Sequence, residues 1–396
     1  MKKSLVALAV MAAAGAAYAQ SSVTLYGILD VGYTRNGGSL ASASGLSNST
    51  NGLGSRLGFR GVEDLGGGLK AGFVLETGVA NDSGAGNINP STNNQTGSAV
   101  GGSLQFGRLS YVNLAGRFGE IRLGRDVNAS YYNDVLYDPF GGLSVAAGMN
   151  TAAGLRTIGT VNLLRSSNAI SYFLPSSLLG GVTGQVMYAF GENASNAGVS
   201  KDDGNYAGIR IGYAGGPLSL GVGYGRFTAT TGNAAYSNGP VGLPAGLSND
   251  RTEAQIGGTY DFGVAKLWLT FSKMEQDNAG LNVALVPTNL ETKAFILGVT
   301  APVGPGLIRA SYSRAKNSSL NNEQGSKLGV GYQYNLSKRT ALFATVARVK
   351  NENGASFTTA LLPSDATNRA VLGVGSGANA PNASSTGYDL GLRHSF

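Results

Sequence analysis

The stretch SRLGFRGVEDLGGGLKAGFVLETG, residues 55–78, decides the fold class. On either side of its glycine-rich centre, apolar residues alternate with polar or charged ones, as Leu57 and Phe59 do before it and Phe73 and Leu75 after it. A period of two is typical of β-strands with two unlike faces. The stretch therefore predicts two strands joined by a tight turn, with an apolar face that meets either a protein core or lipid.

Composition excludes several classes of protein. Charged residues make up 13% of the 396 residues, about half of the ordinary share, while the 62 glycines are about double ordinary usage. The absence of cysteine excludes disulfides, thiolate metal sites and cysteine nucleophiles. The 29 basic and 22 acidic residues are dispersed, with no basic block of five or six, so we predict no nucleic-acid partner.

The N-terminus predicts export. Residues 1–19, MKKSLVALAVMAAAGAAYA, combine two lysines, an apolar run and a small-residue cleavage pattern, which is typical of a Sec signal peptide cleaved before Gln20. The apolar run is too short to span a bilayer as a helix, and no run of eighteen apolar residues occurs elsewhere. The mature chain, residues 20–396, must therefore stay soluble or enter a membrane as strands.

The connections between the predicted strands favour the membrane. Alternation and turn residues predict sixteen strands, and the seven short connections between them alternate strictly with eight long stretches rich in Asn, Ser, Gly and Ala. Outer-membrane barrels have this layout, and only closure removes every strand edge from hydrocarbon. We therefore predict an all-β, 16-stranded antiparallel transmembrane barrel with short periplasmic turns and long extracellular loops. A soluble sandwich would show the same alternation, but the signal peptide and the loop pattern favour the barrel, and sixteen strands enclose a water-filled channel.

Four motifs carry a resemblance to a known family: SSVTLYGILDVGY, the stretch quoted above, FGRLSYVNLAGRFGEIRLGRD and the closing GYDLGLRHSF. With them, the chain resembles the trimeric general porins of Gram-negative bacteria, in their beta-proteobacterial branch. The resemblance implies a homotrimer in the outer membrane, in contact with its lipid and lipopolysaccharide, that passes small hydrophilic solutes and anions. It also implies that the C-terminal Phe396 is the signal read by the barrel-assembly machinery.

The third long connection, about residues 127–165, is too long for a simple surface turn, and loops of this size are usually functional. The resemblance implies that this loop folds into the barrel and narrows it. Its segment YYNDVLYDPFGG carries Asp134 and Asp138, which match the acidic part of the family loop. These carboxylates are predicted to face the pore constriction, or alternatively to anchor the loop through turn and backbone hydrogen bonds.

The resemblance also implies arginines on the barrel wall facing the loop, and Arg56, Arg108 and Arg156 match by motif. Alternation along a strand over residues 103–115 puts Arg108 inward and Tyr111 outward, although the apolar residues that follow break the phase. Further predicted pore-lining residues are Arg60, Arg122, Arg125, Lys70 and Glu76.

The charges of these arginines and carboxylates predict ion selectivity. Arginines opposite carboxylates create a transverse field in a narrow pore, and an excess of arginine favours anions. Arginine also stays charged at any relevant pH. The sequence therefore predicts a passive channel with a weak anion preference. As an alternative, these arginines are rim residues that bind lipid headgroups or neighbouring carboxylates.

Other functions remain as alternatives. An outer-membrane hydrolase would need a histidine base or a carboxylate site, yet the chain has a single histidine, His394, on the predicted lipid face, so no enzyme, cofactor or metal site is predicted. A loop-borne adhesin would use the eight long loops. A solute-specific porin would need an aromatic row across the lumen, for which the third loop offers Tyr131, Tyr132 and Tyr137.

Overall fold

The computed structural model describes most of the barrel and part of its loops. The described residues are 22–40, 42–47, 54–81, 85–87, 106–149, 164–175, 180–192, 201–202, 204–228, 250–277, 289–318, 322–359 and 379–396. The predicted signal peptide, residues 1–19, and Arg156 lie outside them.

Within the described residues, sixteen strands form one antiparallel barrel, which confirms the predicted fold class. The barrel strands are β1 Ser22–Gly37, β3 Arg56–Gly66, β4 Leu69–Ala80, β6 Leu109–Gly116, β7 Gly119–Val127, β8 Arg165–Phe173, β9 Val182–Ala189, β10 Tyr206–Gly215, β11 Leu218–Phe227, β12 Asp250–Asp261, β13 Lys266–Asp277, β14 Asn289–Val303, β15 Gly306–Asn317, β16 Glu323–Asn335, β17 Thr340–Glu352 and β18 Ser385–Ser395. Two short strands that we did not predict, β2 Ser42–Ser47 and β5 Ala85–Asn87, pair with the ends of β1 and β4.

The barrel closes between its first and last strands. Strand β1 pairs with β18 from Ile28 opposite Ser395 to Gly37 opposite Thr386, and with β3 through its N-terminal half. Next to this ladder, Gly27 and Phe396 exchange two main-chain hydrogen bonds of 3.0 Å each. Since an unpaired strand edge is costly in hydrocarbon, closure is what allows these strands to lie in a membrane.

The stretch of residues 55–78 forms two paired strands of this barrel, with the apolar face outward. Strands β3 and β4 pair so that Phe59 lies opposite Leu75 on the outer face and Gly58 opposite Glu76 on the inner face. All three glycines of the turn between them, Gly66, Gly67 and Gly68, have positive φ. Such φ values are disfavoured for residues with a Cβ, which explains the GGG motif.

One short helix, α1 Tyr132–Leu136, lies in the connection between β7 and β8. No helix in the described part of the chain is long and apolar enough to cross a membrane.

Candidate functional site

The described part of the third long connection, residues 128–149, lies inside the barrel and is called the inner loop here. It crosses the inner wall from β10 to β16. Near its start, the Ser130 N–H donates to Tyr206 Oη at 3.0 Å; at its end, the Met149 N–H donates to Ser313 Oγ at 3.2 Å. Between these points the Tyr137 carbonyl accepts a hydrogen bond of 2.8 Å from Thr270. The inner loop therefore covers the side of the lumen from β8, where Ala129 packs with Ala169, to β18, where Val145 binds Asp389, and we call the wall of β1 to β7 the open wall.

Glycines on the inner wall make room for this loop. We call four of them the glycine floor, because a Cβ built on each would come within 2.3 to 2.6 Å of an atom of the inner loop. These closest approaches are Gly225 to Ser130, Gly257 to Tyr137, Gly298 to Pro139 and Gly329 to Ala146. A larger residue at any of these positions would have to push the loop into the lumen, so part of the chain's high glycine content serves the loop.

Asp138 joins two parts of the inner loop by hydrogen bonds to its own main chain. Its carboxylate accepts hydrogen bonds from the N–H groups of Phe140 and Gly148 at 2.8 Å and of Gly142 at 3.2 Å, and it is only 2% exposed. Burial raises the pKa of the Asp138 carboxyl, and these three donors act in the opposite direction. The hydrogen bonds span ten residues, so Asp138 fixes the shape of the bend that follows α1.

Asp134 and Asp389 tie the loop to the wall. Asp134 is 2% exposed and accepts a 2.6 Å hydrogen bond from Gln255 on β12. At the far end, Asp389 on β18 accepts hydrogen bonds from the Val145 N–H at 2.8 Å and the Ser144 hydroxyl at 3.2 Å. Asp134 and Asp138 thus make the contacts of anchoring residues, and neither carboxylate faces the open lumen.

The surface that the inner loop turns to the lumen is largely apolar. Tyr132 and Leu136 of α1 are 45% and 40% exposed. The guanidinium of Arg210 lies 4.9 Å from the centre of the Tyr132 ring and donates to Asn133 at 2.7 Å. Tyr137 is buried against the wall, so the loop tyrosines do not form one aromatic surface.

Arg56, Arg108 and Glu76 form a cluster on the open wall, which we call the arginine cluster. Arg108 Nε lies 2.6 Å from Glu76 Oε1, and Arg56 Nη1 lies 3.7 Å from the same oxygen. The arginine side chains are each 18% exposed and the glutamate 5%. Two guanidinium groups share one carboxylate, which leaves an excess positive charge at the wall.

The strand register explains how the cluster forms. Tyr26, Gly58 and Glu76 lie side by side on β1, β3 and β4. Because Gly58 has no side chain, the Tyr26 ring can extend over it and donate to Glu76 Oε2 at 3.1 Å. This hydroxyl holds one carboxylate oxygen while the arginines hold the other.

The placement of Arg108 corrects the predicted strand phase. Strand β6 begins at Leu109, opposite Glu76, and Arg108 lies in the bend before it, with its N–H donating to the Glu76 carbonyl at 3.1 Å. Val112 therefore faces outward and Tyr111 inward, so the prediction of an outward Tyr111 was wrong. Its cause was the assumption of one continuous strand over residues 103–115.

Arg122 on β7 stands nearer the short turns. It pairs with Glu120 at 2.8 Å and with Asp126 at 3.0 Å. Its guanidinium carbon also lies 4.7 Å from the ring centre of Tyr111 and 4.1 Å from that of Phe173. Two carboxylates therefore compensate this charge, in contrast to the arginine cluster.

Arg125 is held differently, because the register of β7 against β8 shifts between Gly124 and Asp126. Its guanidinium donates to the Gly107 carbonyl at 2.7 Å and to Ser167 at 2.8 Å. The side chain thus braces the segment that precedes Arg108.

The remaining predicted wall residues are exposed. The guanidinium carbon of Arg60 lies 5.5 Å from the ring centre of Tyr26, next to the arginine cluster. Lys70 lies beside the GGG turn, opposite Ala115, and its side chain is exposed.

The sequence prediction missed Arg165, the first residue of β8. It lies opposite Val127 and two residues before Ser167, which accepts a hydrogen bond from Arg125, the side chain that also binds the segment before Arg108. Its position directly before a predicted strand was a usable signal, but the motif match selected Arg156 instead. Arg309 and Arg393 were also missed: Arg393 lies opposite Asp30 in the register of β1 and β18, and Arg309 on β15 donates to Gln333 at 2.5 Å.

Comparisons with known proteins agree with this architecture. Residues 5–354 match a family model described as Gram-negative porin. The chain is 37% identical to outer membrane porin protein 32 of Delftia acidovorans over the whole of both chains, and 31% identical to an outer membrane porin protein of Bordetella pertussis over 89% of this chain and 95% of that one. A solved structure, an anion-selective porin from Comamonas acidovorans, superposes with a TM-score of 0.75 at 33% identity and covers 95% of this chain and 100% of that chain.

Proposed function

The chain belongs to the Gram-negative porin family of outer-membrane channels, and from this premise we propose that it is a passive, weakly anion-selective pore for ions and small hydrophilic solutes. The single observation that carries the anion preference is the arginine cluster, in which Arg56 and Arg108 share the carboxylate of Glu76.

The position of the inner loop supports this proposal. The loop packs on the wall of β8 to β18, so solutes pass between the loop and the wall of β1 to β7, where the arginine cluster lies. Asp134 and Asp138 contribute by holding the loop in the lumen. Because their carboxylates are buried, the exposed residues of α1 place no negative charge opposite the arginines. The positive potential of the wall is therefore not cancelled across the pore, and it lowers the barrier for anions.

Glu76 keeps the preference weak. A permeating anion competes with Glu76 for the guanidinium groups, which bind carboxylates and phosphates well because they offer several donors in one plane. An anion that bound too tightly to the arginines would not leave the pore. Because Glu76 already occupies part of their hydrogen-bonding capacity, anions bind more weakly and pass through. The exposed Arg60 and Lys70 extend the basic surface from the arginine cluster toward the short turns, whereas Arg122 is compensated by two carboxylates and Arg125 braces the segment before Arg108.

The assembly of the pore is also part of the proposal. We take the functional unit to be a homotrimer embedded in outer-membrane lipid and lipopolysaccharide, with the strand that ends in Phe396 as the signal for the barrel-assembly machinery. The paired main chains of Phe396 and Gly27 support this role, because the last residue completes the barrel.

Single-channel recording in a planar lipid bilayer tests the channel. The purified protein is expected to insert in steps of three equal conductances, with a current that is linear in voltage near zero. A folded, heat-modifiable trimer that gives no conductance would contradict an open channel and favour a loop-borne adhesin.

A further inference from the structure

The outer face of the barrel carries a group of cations at the long-loop end of β15 to β17. Arg314, Lys316, Arg348 and Lys350 are all exposed there, and Glu352 pairs with Lys350. On the neighbouring strand β14, Glu291 pairs with Lys293, which lies opposite Lys316. They continue the outward rows of Tyr312, Leu328 and Val346, which are exposed apolar residues. These cations therefore lie on the membrane-facing surface and not in the lumen.

The register places three of the cations around one small residue. Arg314 lies opposite Ser326, and Ser326 lies opposite Lys350, so the two cationic residues are two strand spacings apart, about 10 Å. Arg348 lies one step lower on β17, opposite Leu328. The short side chain of Ser326 lies between Arg314 and Lys350 in this register. Arg314 donates to Gln324 at 2.5 Å, Gln324 donates to Glu352, and Lys350 is 68% exposed and pairs with Glu352 at 3.0 Å.

An apolar groove begins directly below these cations, on the same strands. It has a volume of about 660 Å³, and Ala344 leaves it open between two tyrosines of the neighbouring strands, Tyr332 and Tyr388. Val346, two residues from Arg348 on β17, lines its upper end. The other apolar lining residues are Ile308, Val330 and Leu390.

We propose that this face binds a phosphate-bearing lipid of the outer leaflet. Its phosphate lies between Arg314, Arg348 and Lys350, and one of its acyl chains lies in the groove over Ala344. Charge complementarity supports this occupant, because cations directly above an apolar groove match an anionic headgroup above a hydrocarbon chain. The long-loop end of the barrel faces the outer leaflet, so the order of charge and groove along the strands is the one that such a lipid requires.

The test uses the full-length trimer in detergent, titrated with diphosphoryl lipid A and followed by native mass spectrometry. One variant, R314Q/R348Q/K350Q, removes the cations, and a second, Ala344→Trp, fills the groove. Since both changes lie on the outer surface, the lumen and its conductance should be unchanged. The matched control, R226Q/K273Q/K293Q, removes three outward cations at the same end of β11, β13 and β14, each of which pairs with a carboxylate.

We expect both site variants to bind diphosphoryl lipid A about tenfold more weakly than the wild type or the control. Dephosphorylated lipid A should bind the wild type and the triple variant equally. Unchanged lipid A binding in R314Q/R348Q/K350Q would overturn the proposal. An Ala344→Trp variant that binds lipid A normally but dissociates into monomers would also overturn the proposal. In that case the groove would be a contact between copies of the chain. Loss of conductance in the wild type would instead count against the pore, independently of lipid binding.

Discussion

Arg108 donates a 2.6 Å hydrogen bond from Nε to the carboxylate of Glu76. The same carboxylate oxygen lies 3.7 Å from Arg56, so in the described part of the chain both arginines share the carboxylate of Glu76 at the wall of the lumen. Glu76 therefore sets how much positive charge the open wall presents to a permeating ion.

Glu76→Gln should increase the anion preference. The amide keeps the size of the side chain but removes its charge, so both arginines lose the carboxylate that they share and the positive charge of the cluster rises by one. With an effective dielectric constant near that of water, we expect the anion-to-cation permeability ratio to rise about twofold to fivefold. The measurement is the zero-current potential of reconstituted trimers across a KCl gradient.

Glu63→Gln is the matched control, because Glu63 is an exposed residue on the outer face of β3, the strand that pairs with the β4 strand of Glu76. It should leave the permeability ratio unchanged. A ratio for Glu76→Gln that equals that of the control would mean that permeating ions do not approach the arginine cluster.

The anion preference should not depend on pH near neutrality. The described wall residues that carry positive charge are mainly arginines, which stay protonated above pH 8, and the single histidine, His394, hydrogen-bonds Thr340 on the outer face at 2.9 Å. The zero-current potential, recorded between about pH 6 and pH 8, should be constant within error. A titration with a midpoint near neutrality would point to a different selectivity group.

Enlarging the glycine floor should narrow the pore. In Gly257→Val or Gly329→Val the new side chain would overlap Tyr137 or Ala146, so the inner loop must move into the lumen. We expect a lower single-channel conductance and a stability loss of about 1–3 kcal/mol, as for other overpacked sites. Bilayer recording and thermal denaturation measure the two effects.

The control for this change is Ala254→Val, an outward position on β12 that adds a side chain to the lipid face. Its conductance should equal that of the wild type. If the glycine variants also kept full conductance and stability, the loop would not be held against the wall as described.

Phe396 should be needed for closure as well as for assembly. Its ring lies over Gly27, where an added Cβ would come 2.3 Å from the ring. Deletion of Phe396 and the substitution Gly27→Leu should both reduce the heat-modifiable trimer recovered from outer membranes, because both remove the fit between the first and last strands. His394→Ala, two residues away, should assemble normally. Normal assembly of Gly27→Leu with failure of the deletion would assign Phe396 to recognition alone.

The barrel was predictable because its signal is local. A period of two over 8 to 16 residues marks each strand, and the alternation of short and long connections fixes the topology. The short strands β2 and β5 escaped prediction because Ser, Gly and Ala carry no such period. Tyr111 was assigned to the wrong face because the bend at Arg108 is set by a main-chain hydrogen bond to Glu76 on another strand, which alternation cannot show.

The site was less predictable, because it depends on contacts between distant segments. Motifs identified Arg56 and Arg108, and strand alternation identified Glu76, as pore-lining candidates, but only the register shows that Gly58 lets Tyr26 reach Glu76. Whether Asp138 faces the lumen or the loop backbone depends on the fold of residues 138–148, and the sequence is compatible with both. The glycine floor is distributed over four strands, so no local pattern distinguishes it from ordinary strand glycines.

The most direct test of the account is the zero-current potential under a KCl gradient for the wild type and for R56Q/R108Q, with R226Q/R314Q as a control that removes two arginines from the outer face. We predict an anion-favouring potential in the wild type and the control, and a permeability ratio about threefold lower or more in R56Q/R108Q. An unchanged potential in R56Q/R108Q, with conductance and trimer intact, would contradict the account and move the selectivity of this porin away from the arginine cluster.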